Sequence, residues 1–205
     1  MIWRLSRSSS RGDTIIEVMF AIAVFAFLAT GCLALMNRGV GISQRSLEIT
    51  LVRQQMSDQA ETLRYIQQEA MAGNESYKTQ WRRLTVDQRQ NTASTYGLTG
   101  SNSCPTDFSG FRPFILDARA LGTNRVVQTP IIDSKDPSAT PYPQIVYNTN
   151  GSFNRAYNMW IESVPKEDTA GTATKFIDFH IRACWESVGG NTPLTIGTIV
   201  RLYED

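Results

Sequence analysis

The sequence has a single histidine, His180, and no excess of either charge: 20 Lys and Arg stand against 19 Asp and Glu, a formal net charge of +1. So balanced a chain offers no broad cationic surface. The local group Arg4, Arg7 and Arg11 is followed by no further basic face, which argues against a nucleic-acid-binding arm. No nucleophile or metal-ligand spacing accompanies His180, so the sequence contains no recognisable catalytic set, and His180 reads as an exposed or hydrogen-bonded strand residue. A phosphate loop and an EF-hand are also missing. The chain reads as a non-enzyme with no cofactor. Cysteine is scarce too, at three residues. Cys32 lies in an apolar run, whereas Cys104 and Cys184 fall in polar surroundings, so a Cys104–Cys184 disulfide is the simplest pairing and two reduced thiols the alternative. That bond would close a loop of about 80 residues and stabilise the fold by about 4 kcal/mol on the chain-entropy model, in an oxidising compartment.

What the sequence does have is one long apolar run. From Thr14 to Met36 it reads TIIEVMFAIAVFAFLATGCLALM, with Glu17 as its one charged side chain. At about 1.5 Å per residue this helix matches a hydrocarbon layer roughly 30 Å thick. The arginines before it favour the cytoplasmic side, which predicts a single-pass membrane protein whose remaining chain lies on the extracytoplasmic side. The run is too long for an ordinary secretory h-region, and no small-residue cleavage site stands out at its end. A glycine instead precedes it, at SSSRG/DTIIEV. A plain signal anchor is the simpler alternative. Glu17 is the unusual residue, because an ionised carboxylate in hydrocarbon is costly without a partner and marks a functional position by default.

After Met36 the pattern turns amphipathic. Ile42, Ile49, Met56, Leu63 and Ala70 recur at heptad spacing with Val52 and Ile66 beside them, and Arg45, Glu48, Arg53, Asp58, Glu61 and Arg64 supply polar faces. One helix is expected to continue to about Ala72 with its stripe packed on the following domain, and a coiled-coil dimer is the competing explanation. Gly39 and Gly41 mark a flexible point and Gly73-Asn74 a stop. The regions are therefore 1–12, a leader; 13–38, a transmembrane half-helix; 39–72, an amphipathic half-helix; and 73–205, a β-rich head. A short helix is expected over Tyr77 to Val86. Strands are expected over Phe114–Arg119, Arg125–Gln128, Gln144–Tyr147, Asn158–Val164, Lys175–Glu186 and Thr195–Tyr203. In KFIDFHIRACWE, Ile177, Phe179, Ile181, Ala183 and Trp185 share the core face, which puts Asp178, His180, Arg182, Glu186 and Cys184 on the outer one. The fold class is α+β, a long N-terminal helix packed on an antiparallel sheet.

Gly12 followed by DTIIEVMFAIAVFAFL resembles the signal of type IV pilins and type II secretion pseudopilins. In that family a basic leader ends in glycine and the fifth residue of the mature chain is glutamate; counting from Asp13, Glu17 holds that place. The resemblance covers roughly Arg11 to Met36 closely and the head only in layout, which is pilin-like. It implies cleavage between Gly12 and Asp13 by a prepilin peptidase, and N-methylation of Asp13. It also implies assembly with other pilin subunits through Glu17, the partners being those subunits, the peptidase, the cytoplasmic membrane and the pilus assembly platform. The site is then a pilus or the cell surface. Asp13 departs from the usual first-position phenylalanine, and Ala34 stands where many major pilins carry a kinking proline. Both point to a minor pilin, and the C-terminal IVRLYED with the head cysteines resembles the PilV-like group. Filament initiation, adhesion or DNA uptake is the implied function. A type II secretion pseudopilin is the alternative, and a non-polymerising, membrane-anchored ligand-binding or enzymatic domain the alternative of another class.

Other candidates have simpler explanations. Glu167 with Asp168, or Asp133 with Asp136, could ligate calcium but read as solvated turn acids. Asn74-Glu-Ser and Asn150-Gly-Ser fit the glycosylation triplet, which arises readily by chance. Tyr142, Tyr147, Phe153, Tyr157 and Trp160 form an aromatic-rich stretch that fits either a ligand surface or the core.

Overall fold

The structure, a computed structural model, describes residues 13–94, 104–105, 108, 110–120, 126–127, 142–167, 175–187 and 192–204. It divides into two compact units between Gln44 and Arg45. Helix α1, Asp13–Met71, supplies the described part of the first unit and the beginning of the second, and it runs unbroken through Gly39 and Gly41.

In the first unit the apolar side chains of α1 face outward. Phe20, Phe25 and Phe27 are each more than two-thirds exposed, and so is Ile42, which the heptad pattern had assigned to the packed stripe. The hydroxyl of Thr30 donates back to Ala26 O at 3.0 Å and Phe27 O at 2.9 Å, so this polar group is satisfied within the helix.

The second unit is α+β. In it α1 buries Val52, Met56, Leu63, Ile66 and Ala70 of the expected stripe and Ala60 besides, while Ile49 is only half-buried. Each large apolar side chain removed from water here contributes about 1.5–3 kcal/mol. The helix ends where Gly73 takes a positive φ of +93° and Asn74 N donates to Glu69 O at 3.2 Å, a glycine stop that a side chain with a Cβ would strain. Asn74 then caps α2 (Glu75–Arg82) by accepting from Ser76 N, and a π-helical turn over Arg83–Asp87 follows.

The main sheet is antiparallel in the order β5–β6–β7, with β5 at Met159–Glu167, β6 at Lys175–Trp185 and β7 at Leu194–Glu204. Register sets Ile161 opposite Ile181 and Ile181 opposite Thr198. Pro165 sits on β5, an outer strand of the three, where a missing donor is tolerated. Two hairpins complete the fold: β1 (Ile115–Leu116) with β2 (Val126–Val127), and β3 (Gln144–Tyr147) with β4 (Phe153–Tyr157). Core side chains of β6 meet the helix stripe, and Phe114, Leu84 and Trp81 close the cluster.

Two strand expectations change. β1 is shorter than Phe114–Arg119 because the Asp117 carboxylate accepts from Arg119 N and Ala120 N, turning the chain. β4 was not anticipated. It is set off from β5 by Asn158, at φ 55°, and from β3 by a turn in which Gly151 has φ +81°. Of the expected strand Arg125–Gln128, only Val126 and Val127 lie among the described residues.

Amide side chains on α1 add a second kind of contact. Gln59 pairs with the backbone of Leu116 as another strand would, its Nε2 donating to Leu116 O at 2.9 Å and its Oε1 accepting from Leu116 N at 2.8 Å. Gln55 accepts from Ile145 N at 2.9 Å, and Gln67 donates to Tyr203 O at 2.7 Å.

Candidate functional site

Of the residues expected to carry function, Asp13 opens α1, Glu17 lies one turn further on an exposed face, and Gly12 is outside the described residues. Cys32 is an exposed free thiol on the same apolar surface. The helix is long and apolar enough to cross a membrane, by length and composition.

In the head, Cys104 and Cys184 stand at disulfide distance, with Cα atoms 5.6 Å apart. The expected outer face of β6 is not a solvent face at that point. Cys184 is 1% exposed and Cys104 6%, and they form a second small core with Trp160. Phe108 packs its ring edge-on against Trp160 at 5.3 Å. Ser94, Cys104 and Phe108 cover this face, so strand alternation continues beneath them with both sides buried.

Under that cover lies a buried polar network. Glu162, fully buried, accepts from Ser94 N and Trp160 Nε1 at 2.6 and 2.7 Å and from the Ser94 hydroxyl. Arg182, 4% exposed, donates to Ser94 O at 2.5 Å and Ser94 Oγ at 3.1 Å. A carboxylate and a guanidinium thus converge on one serine out of water, where each needs the other. His180, across the strand pair from Glu162, is half-buried rather than exposed. Burial and the neighbouring Arg182 lower its pKa, against the opposing pull of Glu162 and Asp178. Asp178 itself holds Arg201 through two bonds of 2.8 and 2.9 Å.

A second buried carboxylate, Glu48 of α1, accepts from Trp185 Nε1 at 3.0 Å and Ser187 Oγ at 2.7 Å. Neither acid was singled out in the sequence. For Glu162 the available signal was its even spacing from Trp160 on one strand face; for Glu48 there was none, since it sits among the helix's polar positions.

The aromatic stretch does not form one surface. Tyr142 and Phe153 pack against the main core, Tyr157 is buried and Trp160 belongs to the second core. Arg119 lies over the Tyr147 ring at 4.1 Å, and burial with the nearby Asp117 raises the Tyr147 pKa to about 12. Among the described residues no group of three His, Cys, Asp or Glu side chains is placed to hold a metal. Asp133, Asp136 and Asp168 lie outside them, and Glu167 is paired in register with Lys175. Asn150 is engaged in its own turn, accepting from Ser152 N and Oγ at 3.0 and 2.7 Å. Comparison with family models, curated proteins and solved structures gave no match.

Proposed function

We propose that the chain is a minor pilin, cut between Gly12 and Asp13 and built into a type IV pilus through the first half of α1. The observation that carries this reading is Glu17, the one charged side chain between Ile15 and Asn37 on a helical surface that is otherwise apolar and faces outward. Such a surface is not left to water in a functioning protein, and a bilayer or the packed helices of neighbouring subunits would cover it. In either setting a cation within reach would offset the cost of burying the carboxylate. A neighbour's new amino terminus is such a cation, and the pair sets axial register more than it adds stability. An α+β head on the second half of the helix is consistent with this reading.

Mass spectrometry of the protein purified from membranes tests the reading. A chain beginning at N-methylated Asp13 is expected, and a mature protein that retains Met1 overturns it. Glu17→Ala should leave membrane insertion intact and reduce recovery of the subunit in sheared filaments; undiminished recovery removes the register role.

A further inference from the structure

The two edges of the three-stranded sheet are finished differently. Cys184 N donates to Asn158 O at 3.0 Å, so Cys184 turns its backbone toward β5. Successive residues of an antiparallel strand turn to opposite neighbours, so Ile181 and Phe179 bond to β7, at Thr198 and Val200. The alternate residues of β7, Gly197 and Ile199, therefore direct N–H and C=O away from the sheet. Tyr203 has the same parity, and its carbonyl indeed faces outward, accepting from Gln67 Nε2 at 2.7 Å. On β5 the outward groups are taken. Ile161 exchanges two bonds with Phe114, at 2.8 and 3.0 Å, Ser163 O accepts from Gln90 N at 2.9 Å, and Pro165 has no N–H to leave bare. Among the described residues nothing bonds the outward groups of Gly197 and Ile199.

A groove of about 410 Å³ runs beside this open edge, between α1 and β7. Met56, Ser57 and Ala60 form its helix wall, and the strand wall is Ile196 to Val200. An added strand would turn alternate side chains into that groove, where small ones fit, and the others toward Ile199, which is 58% exposed. Glu61 pairs with Arg64 at one end of the groove. Arg53 lines the other end, exposed, and among the described residues no hydrogen bond or ion pair engages its side chain. A row of bare backbone donors and acceptors at strand spacing is matched by another extended backbone. A second copy of this chain does not suit the edge. Two β7 edges related by a twofold axis meet antiparallel. Since α1 runs alongside β7, from the groove at Met56 to Tyr203 at Gln67, its membrane-length halves would then enter from opposite ends.

We propose that β7 accepts an extended segment of another protein as an added strand, with small apolar side chains toward the groove and an acid toward Arg53. This uses the membrane-length helix but does not depend on the chain being a pilin. Amide hydrogen exchange of the full chain in detergent micelles is the first test. Gly197 and Ile199 should exchange at least about tenfold faster than Thr198 and Val200, and equal protection means the edge is already covered and overturns the proposal. The second test is an NMR titration with a short peptide alternating valine and threonine between glutamate ends. Saturable shifts at Gly197 and Ile199 are expected, with their exchange slowed on binding. The same peptide N-methylated at alternate amides keeps its side chains but loses the donors of one edge, and should bind about tenfold more weakly. Ile199→Pro removes an outward N–H as Pro165 does on β5, and should abolish binding while near-UV circular dichroism from the buried Trp160 and Trp185 stays unchanged. If that variant does not fold, the N-methylated peptide decides alone. No saturable response, equal binding of the N-methylated peptide, or binding that survives Ile199→Pro overturns the proposal. So does a dimer in sedimentation that Ile199→Pro dissolves, which would assign the edge to a second copy.

Discussion

Arg182→Met tests the buried network around Ser94 and Glu162 most directly. The substitution keeps an apolar stem of similar reach and removes the guanidinium, leaving the Glu162 carboxylate fully buried and Ser94 O without that donor. Removing a charged donor from a buried acceptor costs about 1–3 kcal/mol, and the Glu162 carboxylate stays desolvated beside the gap. For a domain of this size that corresponds to a fall in Tm of roughly 3–10 °C. Adding Glu162→Gln removes the desolvated charge and keeps one oxygen for the Ser94 hydroxyl and Trp160, but its NH2 faces Ser94 N, so the double variant should regain only about 1 kcal/mol over Arg182→Met alone. Urea unfolding of the full chain in detergent, followed by tryptophan fluorescence, measures both. A cost below about 1 kcal/mol for Arg182→Met, less than a lost buried hydrogen bond, refutes this account. It fails equally if Glu162→Gln makes the arginine variant still less stable.

Replacing both Cys104 and Cys184 with alanine should lower stability by about 4 kcal/mol, as the entropy of an 80-residue loop closure predicts, read as a shift in the urea midpoint. Leu63→Ala, at a fully buried site under the sheet, should cost about 2–5 kcal/mol in the same assay. Because the pKa of His180 is lowered in the fold, the unfolded chain takes up its proton first. Stability should therefore decline as pH falls below about 6.5, and His180→Gln should remove that part of the pH dependence. Tyr147 works at the other end: its pKa rises from 10.0 to about 12, so stability should fall as pH rises from 10 through 12, a loss absent in Tyr147→Phe and visible in tyrosinate absorbance during unfolding.

The parts legible in the sequence were those written in periodicity. The heptad stripe marked the packed face of α1, and alternation marked the core face of β6, because each pattern is imposed by one water-excluding contact. Ile42 kept the stripe's spacing but not its burial, since spacing says which way a side chain points and not whether anything covers it. Cys184 keeps the outer face, where it meets Cys104, but that face is not open to water. Alternation put it on the outer face, and only the fold shows that Cys104, Phe108 and Ser94 cover that face. β4 escaped notice because FNRAY alternates weakly and Asn158 breaks it from β5 with a backbone angle no pattern announces. Glutamines 55, 59 and 67 looked like ordinary helix surface, since nothing local distinguishes an amide in water from one paired with a strand. For Gln59 that strand residue is 57 positions away in sequence.

Those glutamines also decide how the head answers a pull along its helix. Apolar packing alone resists sliding weakly, because one greasy contact is exchanged for another as the helix moves. The four amide bonds of Gln55, Gln59 and Gln67 reach three different strands and lie along the same helix, so an axial shift of one turn, about 5.4 Å, must break them together. Bonds loaded in shear share the force, whereas bonds peeled singly do not. The C-terminal half of α1 is thus built as a mechanical clutch locked to its sheet.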